Sequence, residues 1–233
     1  GALELLHAAA RDAELKDDAT TATIRLARQL GTVYNQQALA ALQAIKASAT
    51  SDDVKRQADE AIQAVQNAGQ SPEGFIVAWL LSGPYTEQGK NGSELFDVAF
   101  APEKPDGQAE WRPVTVPPGA RAGLVEMDKI FGGNDRAAYL KTQLTSAKEQ
   151  DAVLELGSDD GIKVWLNGQL VHANNATRPC SPGQDKVNVK LKQGANALLI
   201  KVTQGGGEWS ACCRAVAPGG KPLDGVTVAP NGP

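Results

Sequence analysis

Leu156-Gly-Ser-Asp-Asp-Gly-Ile-Lys-Val-Trp-Leu-Asn-Gly-Gln-Leu-Val171 is the stretch that decides the fold. Ile162, Val164 and Leu166 alternate with Lys163, Trp165 and Asn167, the period-two pattern of a strand with one buried face. Asn167-Gly168 then supplies the two positive-φ positions of a type I′ turn, so the residues from Gln169 onward are predicted to return as the second strand of a hairpin. A hairpin with a carboxylate pair, Asp159 and Asp160, at its entrance and long polar loops behind it belongs to an antiparallel β-sandwich. No catalytic motif accompanies it.

Working outward, the chain from Phe75 is a series of short alternating segments punctuated by Gly, Pro, Asn and Asp. Strands are predicted near 75–82, 95–100, 111–116, 123–129, 138–146, 151–157, 161–167, 169–173, 186–192, 196–203 and 208–215. Val187, Val189 and Leu191 share one face, as do Leu198, Ile200 and Val202. One face of each strand is polar or covered by another element, which favours two antiparallel sheets over a parallel one.

Residues 1–70 read differently. They are rich in alanine, free of proline and periodic at 3.6 residues, with Ala38, Ala41, Leu42 and Ile45 on one face and Val54, Ala58, Ala61, Ile62 and Val65 on another. Ser51 is placed to cap a helix whose first turn holds Asp52 and Asp53, and Gly31 separates that half from a helix over 13–30. Helix also fits Ala2–Ala8, with no capping residue before it, so the chain is read as a piece of something longer. The pattern stops near Gln70-Ser-Pro-Glu-Gly74, which divides a helical segment, 1–70, from a β region, 71–233. Too few helices are present for independent stability, so Leu39, Leu42 and Ile62 are expected to bury against the sandwich.

The 233 residues, 42% hydrophobic and 21% charged with a net charge of −4, suit a globular protein with a sizeable core. That charge argues against nucleic-acid binding, and no apolar run is long enough to span a bilayer, so membrane insertion is not expected. Cys180, Cys212 and Cys213 fit no zinc pattern. Cys212 and Cys213 adjoin on a predicted strand and point to opposite faces, which leaves Cys180 as the better disulfide partner for one of them; three buried thiols are the alternative.

Two resemblances follow from these stretches. Ser51 to Val65, with its acidic start and spaced alanines, resembles the second helix of a HEAT repeat. Phe75-Ile-Val-Ala-Trp-Leu-Leu-Ser-Gly-Pro-Tyr85, the 156–168 hairpin, Lys192–Val202 and Gly205–Arg214 together resemble a galactose-binding-like jelly roll of the carbohydrate-binding-module kind, and the Ser-Asp-Asp-Gly hairpin is similar to the PA14 type of sugar-binding sandwich. The resemblance implies non-catalytic binding of a carbohydrate or polysaccharide by part of a larger modular bacterial protein, in an extracellular, cell-surface or periplasmic setting. It requires no cofactor, but it implies a structural calcium on Asp159 and Asp160, assisted by Glu155 and carbonyls. A plain Asp-Asp-Gly turn is the competing reading of that pair.

Aromatic residues are 5% of the chain, so each exposed one counts as a surface for stacking on sugar C–H groups. The loop 172–185 is long and polar and carries His172, Asn174, Asn175 and Arg178; the loop 204–209 brings Glu208 and Trp209 to the same rim. These six residues and Trp165 form the candidate ligand site. Against these stand structural readings: Trp209 in the core, Trp165 under a covering helix from the N-terminal segment, Arg178 clamped to Asp185 and His172 as an ordinary loop histidine. Asn91-Gly-Ser93 and Asn175-Ala-Thr177 match the N-glycosylation pattern. Enzymatic readings find no nucleophile elbow, phosphate loop or zinc-protease motif, and the competing function is a structural or protein-interaction module with no sugar ligand.

Overall fold

The computed structural model describes residues 16–117 and 123–230; the helix expected over Ala2–Ala8, with His7, lies outside the described residues. Three helices come first, α1 (Lys16–Leu30), α2 (Asn35–Ser48) and α3 (Asp52–Asn67). Their small residues let them approach closely. Ala27, Ala38, Ala58 and Ala61 are fully buried beside Leu42, Ile45 and Val65 in a core of their own. Gly31 makes the first turn possible, since a Cβ there would stand 2.5 Å from a Val65 methyl. Asn35 Nδ2 ties α2 to α3 through the Val65 carbonyl at 3.0 Å. Ser51 sits at the N-cap of α3, but its side chain makes no capping bond.

The expected burial of Leu42 and Ile62 occurs, although against the other helices and not against the sandwich, and Leu39 is half-buried on the same cluster. Each of these three helices packs on the other two.

The β region forms two sheets, antiparallel in every pairing among the described residues. One runs β2 (Arg112–Thr115), β1 (Ala78–Tyr85), β4 (Arg136–Ser146), β9 (Gly194–Gln204), β6 (Ile162–Leu166) and β7 (Gln169–Asn174), with β11 (Val226–Ala229) beside β4 beyond the end of β1. The other runs β3 (Val125–Glu126), β10 (Ser210–Val216), β5 (Gln150–Asp159) and β8 (Asp185–Leu191), and a single helical turn, α4 (Asp128–Phe131), follows β3. Ile162, Val164, Leu166, Leu198, Ile200 and Val202 all face the core between the sheets, as their alternation predicts.

The Asn-Gly turn has the expected geometry, with φ of 54° at Asn167 and 79° at Gly168. It is also pinned to β9: Asn167 Oδ1 accepts from Ala197 N at 3.0 Å and Nδ2 donates to Asn196 Oδ1 at 3.0 Å.

Three segments depart from the sequence pattern. The strand predicted over 95–100 is a 3₁₀ turn (Glu94–Asp97) followed by another (Ala101–Glu103). Leu95 and Phe96 bury their side chains while Asn91 and Glu94 exchange backbone-to-side-chain bonds of 3.0 and 2.9 Å, so the alternation belongs to a folded arm and not to a ladder. The strand predicted over 123–129 is only Val125–Glu126, with the helical turn α4 after it, and β11 lies where no strand is predicted.

The helical cluster meets the sandwich where α3 ends. Gly69 lies against β11 so closely that a Cβ would fall 1.7 Å from the Val228 carbonyl oxygen. Gly69→Ala is therefore expected to push the two apart and destabilise the protein by about 1–3 kcal/mol, the usual cost of overpacking. Denaturant unfolding checks this, and an unchanged midpoint would show that the seam yields freely.

Candidate functional site

The outer face of the larger sheet, away from the core, is divided in two. Over one half lies the arm 94–103, held by Lys201. This lysine is fully buried, and its ammonium donates to the Phe96 carbonyl at 3.0 Å, the Val98 carbonyl at 2.6 Å and Glu103 Oε1 at 3.0 Å. Tyr139 donates its hydroxyl to the same Glu103 oxygen. Burial lowers the Lys201 pKa, opposed by the Glu103 bond and charge, and burial with the Glu103 bond raises that of the Tyr139 phenol. Phe100 stacks on Tyr85 at 5.1 Å, Tyr85 meets Tyr139 edge-on at 5.4 Å, and Lys163 covers the Phe96 ring while pairing with Asp97 at 2.8 Å.

Beside the arm the sheet stays open as a groove of about 370 Å³. Its floor is one cross-strand row, Lys141 on β4 opposite Leu199 on β9 opposite Trp165 on β6. Its walls are Trp111, Pro102 and Glu103. Lys141 Nζ stands 4.4 Å from the centre of the Trp111 ring, and burial alone lowers its pKa. Among the described residues no carboxylate or carbonyl accepts from this ammonium. Trp111, Trp165, Lys141 and Leu199 are all half-buried, so each keeps a solvent-facing surface. Sequence reasoning found Trp165 and missed Trp111; the signal for Trp111 was its place just before the Arg112 strand, in a chain with only four tryptophans.

The rim expected from the loops 172–185 and 204–209 is differently built. Asp160 does bring the two loops together, its Oδ1 accepting from Arg178 N and its Oδ2 from Gly205 N, each at 3.0 Å. The polar side chains there mainly satisfy one another. Arg178 pairs with Asp185 and donates to Ser158 Oγ at 3.0 Å. Asn174 donates to Asp185 at 3.0 Å, and His172 Nε2 lies 3.5 Å from the same carboxylate without a hydrogen bond. Burial works to raise the Asp185 pKa, but the bonds from Arg178 and Asn174 and the Arg178 charge outweigh it and hold the carboxyl below its usual range. Asn175 donates to the Ser93 carbonyl at 3.1 Å and so fastens its loop to the 91–94 turn. Glu208 is exposed.

Trp209 requires a correction. It is fully buried in the core, 5.7 Å from Phe131, because β10 begins beside it and Met127 N donates to its carbonyl. A ring so enclosed offers no face to a ligand.

The aspartate pair also differs from expectation. The peptide bond between Asp159 and Asp160 is cis. Asp159 is 8% exposed, and burial first, then the charges of Asp160, Glu208 and Asp128, push its pKa up to about 6. Calcium takes six to eight oxygen ligands. Among the described residues no group of three or more His, Cys, Asp or Glu side chains is gathered to hold a metal ion, and both Asp160 oxygens already accept backbone N–H bonds. Glu155 is engaged by Arg214 and Lys186 instead. As arranged, these residues do not fit calcium.

A larger hollow of about 950 Å³ lies between the α1–α2 turn and residues 70–77. Pro117 and Gly123 line it, and the stretch between them lies outside the described residues. No described helix is long and apolar enough to cross a membrane.

No protein-family profile and no curated protein matches the chain. Among solved structures it is similar to a family 35 carbohydrate-binding module from an environmental isolate, at 16% identity over 41% of this chain and 73% of that one, with a TM-score of 0.32. It is also similar to a PA14 sugar-binding domain from an RTX adhesin, at 18% identity over 68% and 78%, TM-score 0.35. A β-glucosidase from Kluyveromyces marxianus matches at 13% identity and a TM-score of 0.39, and the chain covers 18% of its length. These likenesses are loose.

Two predictions follow from the site. Lys201→Met removes the lysine's bonds to the Phe96 and Val98 carbonyls and leaves Glu103 with Tyr139 alone, and should destabilise the protein by about 3 kcal/mol and free the arm, read as faster hydrogen exchange over 94–103. For Asp159, a carboxyl whose folded pKa lies above its unfolded value contributes stability at low pH that is lost as pH rises through about 6. Asp159→Asn, assayed with a chelator present, should melt above the wild type at pH 8, with the difference closing towards pH 4. No advantage at pH 8 would show that the neighbouring carboxylates do not burden the site.

Proposed function

We propose that the protein is a non-catalytic glycan-binding module whose ligand lies in the groove between Trp111 and Trp165. The observation that carries this reading is the pairing of two half-exposed tryptophans with a Lys141 ammonium that has no carboxylate partner among the described residues, on one sheet face. A pyranose ring presents C–H faces that suit flat apolar surfaces, and its hydroxyl and ring oxygens accept from a lysine ammonium. Glu103 is already bonded by Lys201 and Tyr139, which leaves Lys141 without an opposite charge among the described residues lining the groove and favours sugars carrying a carboxylate. The loop rim of His172, Asn174, Asn175, Arg178 and Glu208 is the second location for the ligand, with Asp159 and Asp160 beside it. An extracellular or cell-surface setting, as part of a larger protein, accords with such a role.

Affinity for a single sugar is expected to be weak, because the hydrogen bonds gained replace bonds to water, and binding should strengthen on polymers that offer repeated contacts. Trp165→Ala and Trp111→Ala should each weaken binding on the order of 10-fold, and Lys141→Met should remove the preference for uronate-bearing over neutral polysaccharides. Affinity electrophoresis with and without calcium makes the test. Binding that needs calcium and is lost in Asp160→Asn, with both tryptophan variants unaffected, moves the site to the rim; no binding to any glycan leaves the protein-interaction reading.

A further inference from the structure

Cys212 and Cys213 point to opposite faces of β10. Cys213 lies in the core, while Cys212 faces outward, opposite Gly157 on β5, and is nevertheless only 2% exposed. What covers it is the loop 178–184. A Cβ on Gly157 would stand 2.9 Å from Cys212 Sγ and 2.3 Å from the Ser181 carbonyl oxygen, so the residue after Cys180 rests directly on the glycine beside Cys212. The loop is held there by Arg178 N on Asp160 at 3.0 Å, by Gln184 Oε1 accepting from Ser158 N at 3.2 Å, and by Gln184 Nε2 on the Pro179 carbonyl at 2.8 Å. Within this frame Cys180, the neighbour of Ser181, lies beside Cys212 closely enough for each thiol to shift the other's ionisation, and Cys180 remains partly accessible.

We propose that Cys180 and Cys212 are a redox-modifiable pair, closed to a disulfide by a small-molecule disulfide, with Cys213 as a bystander. Donation from the neighbouring Cys212 thiol lowers the Cys180 pKa, burial and the Asp159 charge oppose it, and Ser210 and the Arg178 charge assist, whereas burial raises Cys213 to about 12. Cys180 is thus the attacking thiolate. It bonds to one sulfur of the small disulfide and expels the other as a thiolate. Cys212 then attacks the Cys180 sulfur and expels the second small thiol, its own proton passing to the departing sulfur. Two protein thiols are oxidised and one disulfide is reduced to two thiols. The product staples the loop across β10, independently of any glycan.

The test treats the full chain with oxidised glutathione at pH 8, followed by alkylation and peptide mapping. The expected result is a species lacking two hydrogens, one alkylatable thiol at Cys213 and a linked pair of peptides containing Cys180 and Cys212, with the melting temperature raised by roughly 10 °C. Cys213→Ser should preserve the link and Cys180→Ser should abolish it. A glutathione adduct that persists on Cys180, or a link between Cys180 and Cys213, overturns the proposal.

Discussion

The buried ammonium of Lys201 is the interaction on which the functional face depends. A charge without solvent survives only if its hydrogen bonds are complete, and here each of three acceptors takes one bond. Two of those acceptors are main-chain carbonyls of the arm 94–103, so the lysine's desolvation and the arm's position are one problem with one solution. Glu103 adds a carboxylate that Tyr139 also bonds. The arm therefore stops at a defined line on the sheet, and the row beyond it, Lys141, Leu199 and Trp165, is left open.

Residues whose meaning is local were legible in the sequence. The alternation around Ile162 and Ile200, the Asn167-Gly168 turn and the alanine-spaced helices each depend on near neighbours, and each element formed where its pattern lay. What failed was long-range. Leu95, Phe96, Val98 and Phe100 imitate a strand, and only a lysine about a hundred residues away reveals that the backbone carbonyls of this segment are turned inward to it. Trp209 follows a glycine-rich loop and so looked like a rim residue, although the strand beginning at Ser210 carries it into the core. Trp111 stands at the start of a legible strand, but the row it flanks is assembled from three separated strands, so its neighbours there are not written beside it.

The polar loops teach a related lesson. Asn174, Arg178 and Asp185 have the planar groups that recognise ligands, and the same planarity lets them recognise one another. Composition cannot distinguish these uses. Burial can: Arg178 and Asp185 side chains are 18% and 10% exposed, whereas Glu208 stands in solvent. The network joins the 178–184 loop to Asp160, and Asp160 joins it to Gly205, so two loops that are distant in sequence behave as one surface.

The turn at Asn167 bears on how the molecule ages. Asparagine followed by glycine is the dipeptide most prone to spontaneous deamidation, which requires the glycine nitrogen to attack the asparagine side-chain carbonyl. Here that carbonyl accepts from Ala197 N, the amide nitrogen donates to Asn196, and the Asn167 main-chain nitrogen donates to the Ala197 carbonyl at 2.8 Å. Cyclisation would have to break the side-chain bonds and turn the amide away from β9 while Gly168 keeps its positive φ. The same contacts that fix the hairpin's register thus give a chemically fragile sequence a long lifetime.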